Sequence, residues 1–355
     1  MVPYGFSILD ADVAAHYADW LSHWESWQER EVFAHPAYAK LFCRKGERAI
    51  CAIWRSEEGG ILFPLIMRPL KSEAWATQSS GLSDLISPYG YGGSFRWGNV
   101  DPDAFWEAFD NWAIKAGIVS CFTRLSLFPD QLAPFRGTID VSAPNIVRTL
   151  DAPIEALWMR YEHKVRKNVK RAQAEGITVE RDESGSLLEE FLSVYYSTME
   201  RRSAHDIYWF PREFFLAIVH GLPAQFAFFN AIWHGRVVSS ELVLVSERHM
   251  YSFLGGTLSE TFALRPSDLI KHSIIQWGLE SGKSAFVLGG GYGGPDGIYR
   301  FKRSFAPDGE LPFCVGKRIL DEQTYANLVD LRRTYEAQSG KSWVPRKDYF
   351  PTYRG

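Results

Sequence analysis

The stretch QFAFFNAIWHGRVVSSELVLVSERHMYSFLGGT, residues 225–257, determines the architecture of the second half of the chain. It contains three apolar runs, at 225–233, 237–247 and 249–257, separated by short polar or basic links. Runs of this length that are rich in β-branched and aromatic residues are typical of strands, and a short link with a glycine is typical of a hairpin. The stretch therefore predicts three consecutive strands.

A helix and a fourth strand are predicted directly after these three strands. Pro266 precedes and Gly282 follows the segment Ser267–Ser281, and these residue types mark the start and the end of helices. The run SAFVLGGG (284–291) then predicts a strand. Antiparallel hairpins mixed with a helical crossover favour an α+β fold with a mixed, largely antiparallel sheet over the regular alternation of a doubly wound sheet.

The first half of the chain repeats this plan. Strands are predicted at AICAIWR (49–55) and ILFPLIMRPL (61–70), joined by the turn SEEGG, whose Gly-Gly pair is a hairpin signal. A helix is predicted over 101–116, started by an Asp-Pro pair, and the strand CFTRLSLF (121–128) follows it. The order of strands, helix and strand is the same as in the second half.

A short repeated sequence supports duplication. Ala-Ile-Trp occurs at 52–54 and at 231–233, each time just before a turn and a second strand. Two copies of one αβ unit explain the repeat, and ordinary repetition of strand and turn signals is the alternative. We predict a first domain over residues 1–150 and a second over 151–355.

The second domain is predicted to open with a basic linker helix over 153–175, ended by Gly176. Its apolar positions, which lie near helical spacing and should face the core, are Leu157, Tyr161, Val165 and Ala172. Its cations recur at i, i+4, i+7 and i+11 and form one stripe: Arg160, Lys164, Lys167 and Arg171, widened by Arg166 and Lys170.

The basic stripe has two interpretations. It is a candidate anion site for a nucleotide, a coenzyme pyrophosphate or an RNA acceptor stem, with Lys164, Arg166 and Lys167 as candidate substrate-binding residues. The alternative is a solvated helix face. Like charges at i and i+4 destabilise an isolated helix, so other groups should offset the repulsion.

The composition excludes several classes of protein. The 355 residues carry a formal net charge of −3, so a large DNA-coating surface is not expected. The four cysteines are scattered, as in proteins of a reducing compartment. The first residues lack the apolar run of a signal peptide, and no stretch reaches the length of a membrane span. We expect a cytoplasmic protein without DNA or an integral membrane segment, and its oligomeric state is left open.

The glycine-rich segment LGGGYGGPDGIYRFKRSFAPDG (288–309) is the strongest local signal. Glycine lets a backbone approach a ligand closely. The GxxxxGK[ST] pattern of a phosphate loop is absent, and no helix is expected directly after the glycines. Lys302 is a candidate for stabilising an oxyanion as a carbonyl is attacked, with Phe301 and Tyr299 beside it. Gly290 and Tyr292 are candidate substrate contacts, and a surface loop with a solvated lysine is the alternative.

Five further residues are candidates for the site. Glu241 alternates with apolar residues in its strand, so it is either a buried general base for an amine or an ordinary carboxylate at a sheet edge. Arg201 and Tyr208 either orient an anionic or amino-acid-like substrate or belong to a helix end whose cations complement its dipole. Asp84 and Tyr89, near a glycine-rich loop of the first half, are candidates for contact with a substrate between the halves.

Several common active-site motifs are absent from the sequence. It contains no HExxH, no cluster of its nine histidines at metal-ligand spacing, and no GxSxG elbow. A covalent nucleophile therefore has no candidate, and direct transfer between two bound substrates is expected. We expect no metal and no cofactor apart from an activated donor that serves as co-substrate.

Three segments together resemble a known family. HKVRKNVKRAQAEGITVE (163–180), DLISPYGYGGS (84–94) and LGGGYGGPDGIYRFKRSF (288–305) are similar to motifs of the Fem family. Its members are aminoacyl-tRNA-dependent peptidoglycan bridge transferases, which are related to GNAT acyltransferases. The three motifs occur in the order of the family, and the resemblance extends over about residues 30 to 320.

The resemblance implies two tandem GNAT-like domains of the acyl-CoA N-acyltransferase type, with the reaction near the second. It implies that the Phe301-Lys302 pair stabilises the transition state, that the basic helix contacts donor or acceptor phosphates, and that the acceptor is an amine. The donor is aminoacyl-tRNA or acyl-CoA. The stretch TLSETFALRPSD (257–268) lacks the GNAT pyrophosphate loop, which favours aminoacyl-tRNA. An acyl-CoA-dependent N-acyltransferase and a non-catalytic binding module are the alternatives.

Overall fold

The computed structural model describes residues 4–203, 205, 208–291 and 296–355. Its strands, β1 to β13, are Gly5–Asp10, Arg48–Arg55, Gly59–Pro69, Ser83–Ile86, Phe95–Gly98, Ile118–Arg124, Thr138–Thr149, Thr178–Asp182, Phe226–Trp233, Arg236–Val245, His249–Thr257, Ala285–Gly289 and Glu310–Ile319. Its helices, α1 to α10, are Ala14–Ser26, Pro36–Lys40, Pro102–Lys115, Ile154–Arg160, His163–Ala174, Leu188–Arg201, Arg212–Gly221, Pro266–Glu280, Gly297–Arg303 and Glu322–Gln338. Within the described ranges, none of these helices combines the length and the apolar character that a membrane crossing requires.

The chain forms two compact units. The first consists of the described residues of Met1–Gln28, Phe33–Ser142 and Phe313–Gly355, and the second consists of Glu29–Val32 and Ala143–Pro312. The boundary between the main segments lies a few residues before the predicted one at 150. The structure differs from the predicted division in that the last 43 residues pack with the first unit, because β13 pairs with β6 of that unit.

The sheet of the first unit has the strand order β1-β2-β3-β4-β6-β13, with β5 paired to β3. Its strands are antiparallel except for β4 and β6, which run parallel on either side of α3 in sequence. Asp101 begins α3 by accepting hydrogen bonds from the amides of Asp103 and Ala104. The helix buries Phe105, Trp106 and Phe109 in the core of this unit, as an amphipathic helix should.

The sheet of the second unit has the order β7-β12-β11-β10-β9-β8. All neighbours are antiparallel except β11 and β12, which pair in parallel from His249 and Ala285 to Tyr251 and Val287. Helix α8 connects these two strands. The prediction of α+β units with mixed, largely antiparallel sheets is therefore confirmed, and so is the predicted repetition of strands, helix and strand, with the strand after the helix running parallel to a neighbour in both units.

The predicted single helix over 153–175 is wrong, because the chain forms two helices, α4 and α5, that are separated at Tyr161 and Glu162. Tyr161 adopts an extended backbone and packs its ring 5.6 Å from that of Phe305, while the amide of Glu162 donates to the carbonyl of Ser304. Arg160 therefore belongs to a different helix from the other cations of the stripe. The predicted core positions are confirmed, since Leu157, Tyr161, Val165 and Ala172 are all buried.

The expectation that no helix opens directly after the glycine-rich run is also wrong. Helix α9 begins at Gly297, and the carboxylate of Asp296 caps it by accepting from the amide of Tyr299 at 2.7 Å. The aspartate in the Pro-Asp-Gly sequence acts as an N-cap, which satisfies an amide that has no partner inside the helix.

Candidate functional site

Helix α9 carries the Phe301-Lys302 pair and is anchored at both ends. Asp296 caps its start. Just beyond its end, the buried guanidinium of Arg148 donates two hydrogen bonds to the carbonyl of Phe305, and the amide of Glu162 donates to the carbonyl of Ser304. These bonds satisfy carbonyls that a helix end leaves without partners, so the short helix is held in one position.

Lys302 is a partly buried lysine whose ammonium rests on a backbone carbonyl. Its Nζ donates to the carbonyl oxygen of Gly290 at 2.7 Å. Burial, together with the ammonium of Lys271, lowers the pKa of Lys302 to about 8, while the carboxylates of Glu241 and Asp296 oppose this. At pH 7 the side chain is therefore mostly a cation, and it loses its charge just above neutral pH.

Glu241 is buried, as one of its two interpretations predicted, and it is ion-paired. The ammonium of Lys271 on α8 donates to its carboxylate and also to the hydroxyl of Ser252 on β11, at 2.8 Å in the second case. Lys271 and Glu241 are 5% and 8% exposed, so the pair is largely withdrawn from solvent. Burial lowers the pKa of Lys271, and the adjacent carboxylate opposes this. Glu241 is therefore already paired with a cation.

Phe301 and Tyr299 pack around the same helix. The half-buried Phe301 ring contacts the core of the second unit and lies edge-on to Phe305 at 5.3 Å. Tyr299 is buried and donates its hydroxyl hydrogen to the carboxylate of Glu310. Burial and this hydrogen bond raise the pKa of Tyr299. Both residues therefore hold α9 in place, and Phe301 also forms part of the surroundings of Lys302.

Gly290 has a backbone role in this arrangement. Its carbonyl accepts the hydrogen bond of Lys302, and a side chain there would begin 3.0 Å from the carbonyl oxygen of Pro144. The close backbone approach that glycine permits here is therefore to the backbone of Pro144, within the protein. Tyr292, the other candidate in the glycine-rich segment, lies outside the described residues.

The basic helix α5 presents two of its three candidate residues to solvent. Lys164 and Lys167 are exposed, and Lys164 lies 3.1 Å from the carboxylate of Glu162. The guanidinium of Arg166 instead donates to the carbonyls of Tyr161 and Met159, which are left open where α4 ends. Arg166 therefore stabilises the break between the helices, while Lys164, beside Glu162, and Lys167 face solvent.

Arg201 and Tyr208 lie at and beyond the end of α6. Arg201 donates to the carbonyl of Thr257 at 3.3 Å and stacks over the ring of Phe262 at 4.7 Å. The carbonyl of Tyr208 accepts a hydrogen bond from the hydroxyl of Tyr195. Arg201 is exposed, so its guanidinium combines an anchored position with access to solvent.

The two candidates of the first half belong to the first unit. Asp84 is fully buried, and its carboxylate accepts hydrogen bonds from Arg68, Arg354 and Tyr353 at 2.7, 2.6 and 3.2 Å. Tyr89 is 45% exposed and stacks 5.9 Å from the guanidinium of Arg124. Asp84 is thus part of a buried ion network, whereas Tyr89 is accessible.

Two residues that shape the surroundings of Lys302 were not singled out from the sequence. Lys271 lies within the helical run DLIKHSII, among buried apolar residues, and a lysine in such a run is itself a signal of a buried charge. Arg148 follows two buried residues of β7 and gave no comparable signal, because its acceptor, Phe305, is far away in the sequence.

Comparisons with known proteins find similarity over part of the sequence and over most of the fold. Residues 159–303 match the Acetyltransferase (GNAT) domain family, and this region includes both the basic helix and Lys302. A stretch of 174 residues is 27% identical to UDP-N-acetylmuramoylpentapeptide-lysine N(6)-alanyltransferase from Weissella viridescens. The stretch makes up 48% of this chain and covers 50% of that protein. The match thus spans about half the length of that relative.

The fold is shared with solved structures. The crystal structure of FemX superimposes with a TM-score of 0.66 at 13% identity, covering 88% of this chain and 98% of that one. A conserved protein of unknown function from Bacteroides thetaiotaomicron superimposes with a TM-score of 0.56 at 10% identity, covering 88% and 99%. The predicted fold class is confirmed, and the match of residues 159–303 to the Acetyltransferase (GNAT) domain family supports the predicted transferase. The resemblance to the Fem family and to related GNAT-like acyltransferases, predicted from the sequence, is therefore confirmed.

Proposed function

We propose that this protein is an aminoacyltransferase that moves an aminoacyl group from aminoacyl-tRNA to an amine by direct attack. One observation carries the proposal: Lys302 lies on an anchored helix at the end of the GNAT-matching region, where its partly buried ammonium bonds to a neutral carbonyl. An ammonium has three donor hydrogens, so it can bond to Gly290 and also to a substrate oxygen.

The reaction follows from this placement. The lone pair of the acceptor amine attacks the ester carbonyl carbon of the donor, a C–N bond forms, and negative charge develops on the carbonyl oxygen. The Lys302 ammonium stabilises this oxyanion in a partly desolvated setting, where such an interaction is stronger than in water. The C–O bond to the ribose then breaks, and the proton that the amine loses ends on the ribose oxygen. No metal and no cofactor enter this scheme.

The acceptor is proposed from the named relative. That relative is an alanyltransferase for the lysine of a UDP-N-acetylmuramoyl pentapeptide, so a cell-wall precursor with a free amine is the first acceptor to test. A small metabolite with an amine is the second. Lys164 and Lys167 are proposed to contact phosphates of the donor or of the nucleotide-linked acceptor, since exposed lysines on one helix face suit phosphate groups. The proposed donor is a cytoplasmic molecule, in keeping with the predicted location.

A GNAT acyltransferase that uses acyl-CoA is the second candidate, because the matching family is described as an acetyltransferase domain. The segment that joins β11 to α8 begins with a short 3-10 helix, Ser259–Leu264, and Arg265 follows it with φ of 65°. This segment occupies the place in the chain where an acyl-CoA-dependent GNAT enzyme is expected to have its glycine-containing pyrophosphate loop. The aminoacyl reaction therefore remains the first proposal.

Radiolabelled donors distinguish the two candidates. The protein is incubated with UDP-N-acetylmuramoyl pentapeptide and small amines, first with a pool of labelled aminoacyl-tRNAs and then with labelled acetyl-CoA. Transfer from tRNA that RNase abolishes supports the proposal and identifies the amino acid. Transfer from acetyl-CoA alone replaces it with the second candidate. Absence of transfer from either donor to any of these amines contradicts both.

A further inference from the structure

A cavity of about 640 Å³ lies on the sheet of the first unit, beside the last turn of α3. Its floor is formed by Ile8 on β1, Ile50 on β2 and Met67 on β3. Trp112 and Ala116, at the end of α3, form one wall. Sites for small molecules have volumes of about 300 to 1,000 Å³, so this cavity is large enough for such a ligand.

Strand pairing places charged side chains beside this apolar floor. Asp10 on β1 lies opposite Ile50, and Arg48 on β2 lies opposite Met67. Residues that lie directly opposite each other, and residues two apart along one strand, share a face of the sheet. The face that carries the apolar floor therefore also carries a cation and an anion at its edge.

Arg48 is held at the cavity by two contacts. Its guanidinium donates to the carboxylate of Asp10 at 3.0 Å and to the sulfur of Met67 at 3.1 Å. The other carboxylate oxygen of Asp10 accepts from the amide of Asp12 at 2.9 Å. The Arg48 side chain is still 53% exposed, and a guanidinium has five N–H donors, so it can bond to a ligand as well.

Three further residues that line the cavity have donors that the protein does not use. Lys71 is exposed and forms no ion pair or hydrogen bond with any residue that the structure describes. Ser83, opposite Pro69, is only 8% exposed, and its hydroxyl has no partner among the same residues. His16 accepts the amide hydrogen of Asp10 on Nδ1 at 3.3 Å, so the neutral ring carries its proton on Nε2 and can donate it.

The cavity thus combines an apolar floor with more donors than acceptors. Among the described residues that line it, Asp10 is the only carboxylate, and both of its oxygens are engaged. Two cations, Arg48 and Lys71, and this one anion leave a net charge of +1 when the histidine is neutral.

We propose that this cavity binds a small amphipathic carboxylate. The apolar body of the ligand packs on Ile50 and Met67, and its carboxylate accepts hydrogen bonds from Lys71 and Arg48. A single negative charge neutralises the excess charge of the lining. The inference is independent of the proposed transfer reaction, because the cavity belongs to the first unit and includes none of the residues to which that reaction was assigned.

The test uses two ligands that differ only in charge. Para-trifluoromethyl-phenylpropionate and its neutral amide are titrated into the full-length protein, and fluorine NMR follows their binding. A carboxylate of this size should bind with a dissociation constant of about 1 mM or lower. The amide should bind about tenfold more weakly, because hydrogen bonds to a charged acceptor are the stronger ones.

Lys71→Met tests the contact with the carboxylate. Lys71 is exposed and has no partner among the described residues, so the variant should fold normally. It should weaken binding of the carboxylate about fivefold and leave binding of the amide unchanged. Lys115→Met is the matched control, because Lys115 is an exposed lysine of α3 that does not line the cavity, and it should change neither affinity.

A third variant locates the apolar part of the ligand. Ala116→Leu enlarges a side chain of the cavity wall and should weaken binding of both ligands, because it occupies part of their volume. Absence of saturable binding of the carboxylate up to about 5 mM overturns the proposal. Equal affinities for the two ligands, or equal effects of Lys71→Met and Lys115→Met, overturn it as well. Unchanged binding in folded Ala116→Leu protein would place the ligand outside the cavity and would also overturn it.

Discussion

In each unit, buried charged groups lie beside a pair of parallel strands, but the charges of the two units are paired with protein groups to different degrees. In the first unit, the parallel pair is β4 and β6, and Asp84 on β4 has both oxygens engaged by protein donors. Arg354 completes the cluster through Glu73. In the second unit, the parallel pair is β11 and β12, and Lys302 beside it rests on a neutral carbonyl.

We use this difference to assign the proposed chemistry to one of the two units. Charges that are fully paired inside a protein contribute to the structure and have little capacity left for a ligand. A cation that is partly buried, anchored and bonded to a carbonyl can still stabilise charge that develops on a substrate. We therefore interpret the cluster of the first unit as structural and that of the second as functional, and four experiments test this distinction.

The largest effect is expected from removal of the Lys302 charge. Lys302→Met should lower the turnover number by about 100-fold or more, the loss that follows removal of one oxyanion donor. Single-turnover transfer from the donor identified above measures the effect. Lys283→Met, which removes a comparable ammonium from backbone carbonyls in the same unit, should retain transfer. Equal losses in the two variants would show that Lys302 acts only through the fold.

The second effect concerns the stability of the first unit. Asp84→Asn leaves Arg68 and Arg354 without their carboxylate in a fully buried position, so the free energy of unfolding should fall by about 3 kcal/mol. Urea denaturation measures it. Asp348→Asn is the control, because Asp348 pairs with Arg346 at the surface and its loss should be undetectable. Asp84→Asn protein that keeps its stability but loses transfer would instead place Asp84 in the site.

The third effect is a pH dependence that belongs to the second unit. The pKa of Lys302 is lowered to about 8, so its cation is present below that pH and is lost as the pH rises through it. Ionisation of the acceptor amine is the same for every variant, so the rate is compared with that of Lys302→Met at each pH; the ratio should vary little between pH 6 and pH 7 and should fall by about tenfold per pH unit well above pH 8. Initial rates at saturating donor measure the profile. A ratio to Lys302→Met that rises through pH 8 would indicate that neutral Lys302 is the active form.

The smallest effect is expected on the basic helix. Lys167→Ala should weaken binding of aminoacyl-tRNA a few-fold and reduce the slope of log affinity against log salt by about one. Filter binding at several salt concentrations measures both quantities. Lys341→Ala removes an exposed lysine from the first unit and should change neither. An unchanged salt slope in Lys167→Ala would assign the stripe to a solvated helix face.

Much of the fold was predictable because its signals are local. The strands at 226–233, 236–245 and 249–257, and the helix Pro266–Glu280, lie within a few residues of their predicted limits. Their turns, caps and apolar runs are all encoded within a few neighbouring residues. Lys302 and Phe301 could be singled out for a related reason, since a glycine-rich segment followed by cations is visible in a single line of sequence.

The predictions from sequence failed where contacts with distant residues override the local sequence pattern. The break at Tyr161 depends on packing against Phe305 and on the bond from Glu162 to Ser304, which join segments about 140 residues apart. A continuous helical pattern contains no trace of either contact. The ion pair of Glu241 has the same origin, because its partner Lys271 is brought to it by tertiary packing. The return of Phe313–Gly355 to the first unit likewise depends on the pairing of β13 with β6.

That return has a consequence for the order in which the protein is made. The second unit is complete once residue 312 has been synthesised, whereas the first still lacks β13 and the segment that carries Tyr353 and Arg354. Domains usually become stable one after another from the amino terminus. Here the unit that is begun first is the last to be completed, so on the ribosome Asp84 can pair with Arg68 well before it can pair with Arg354.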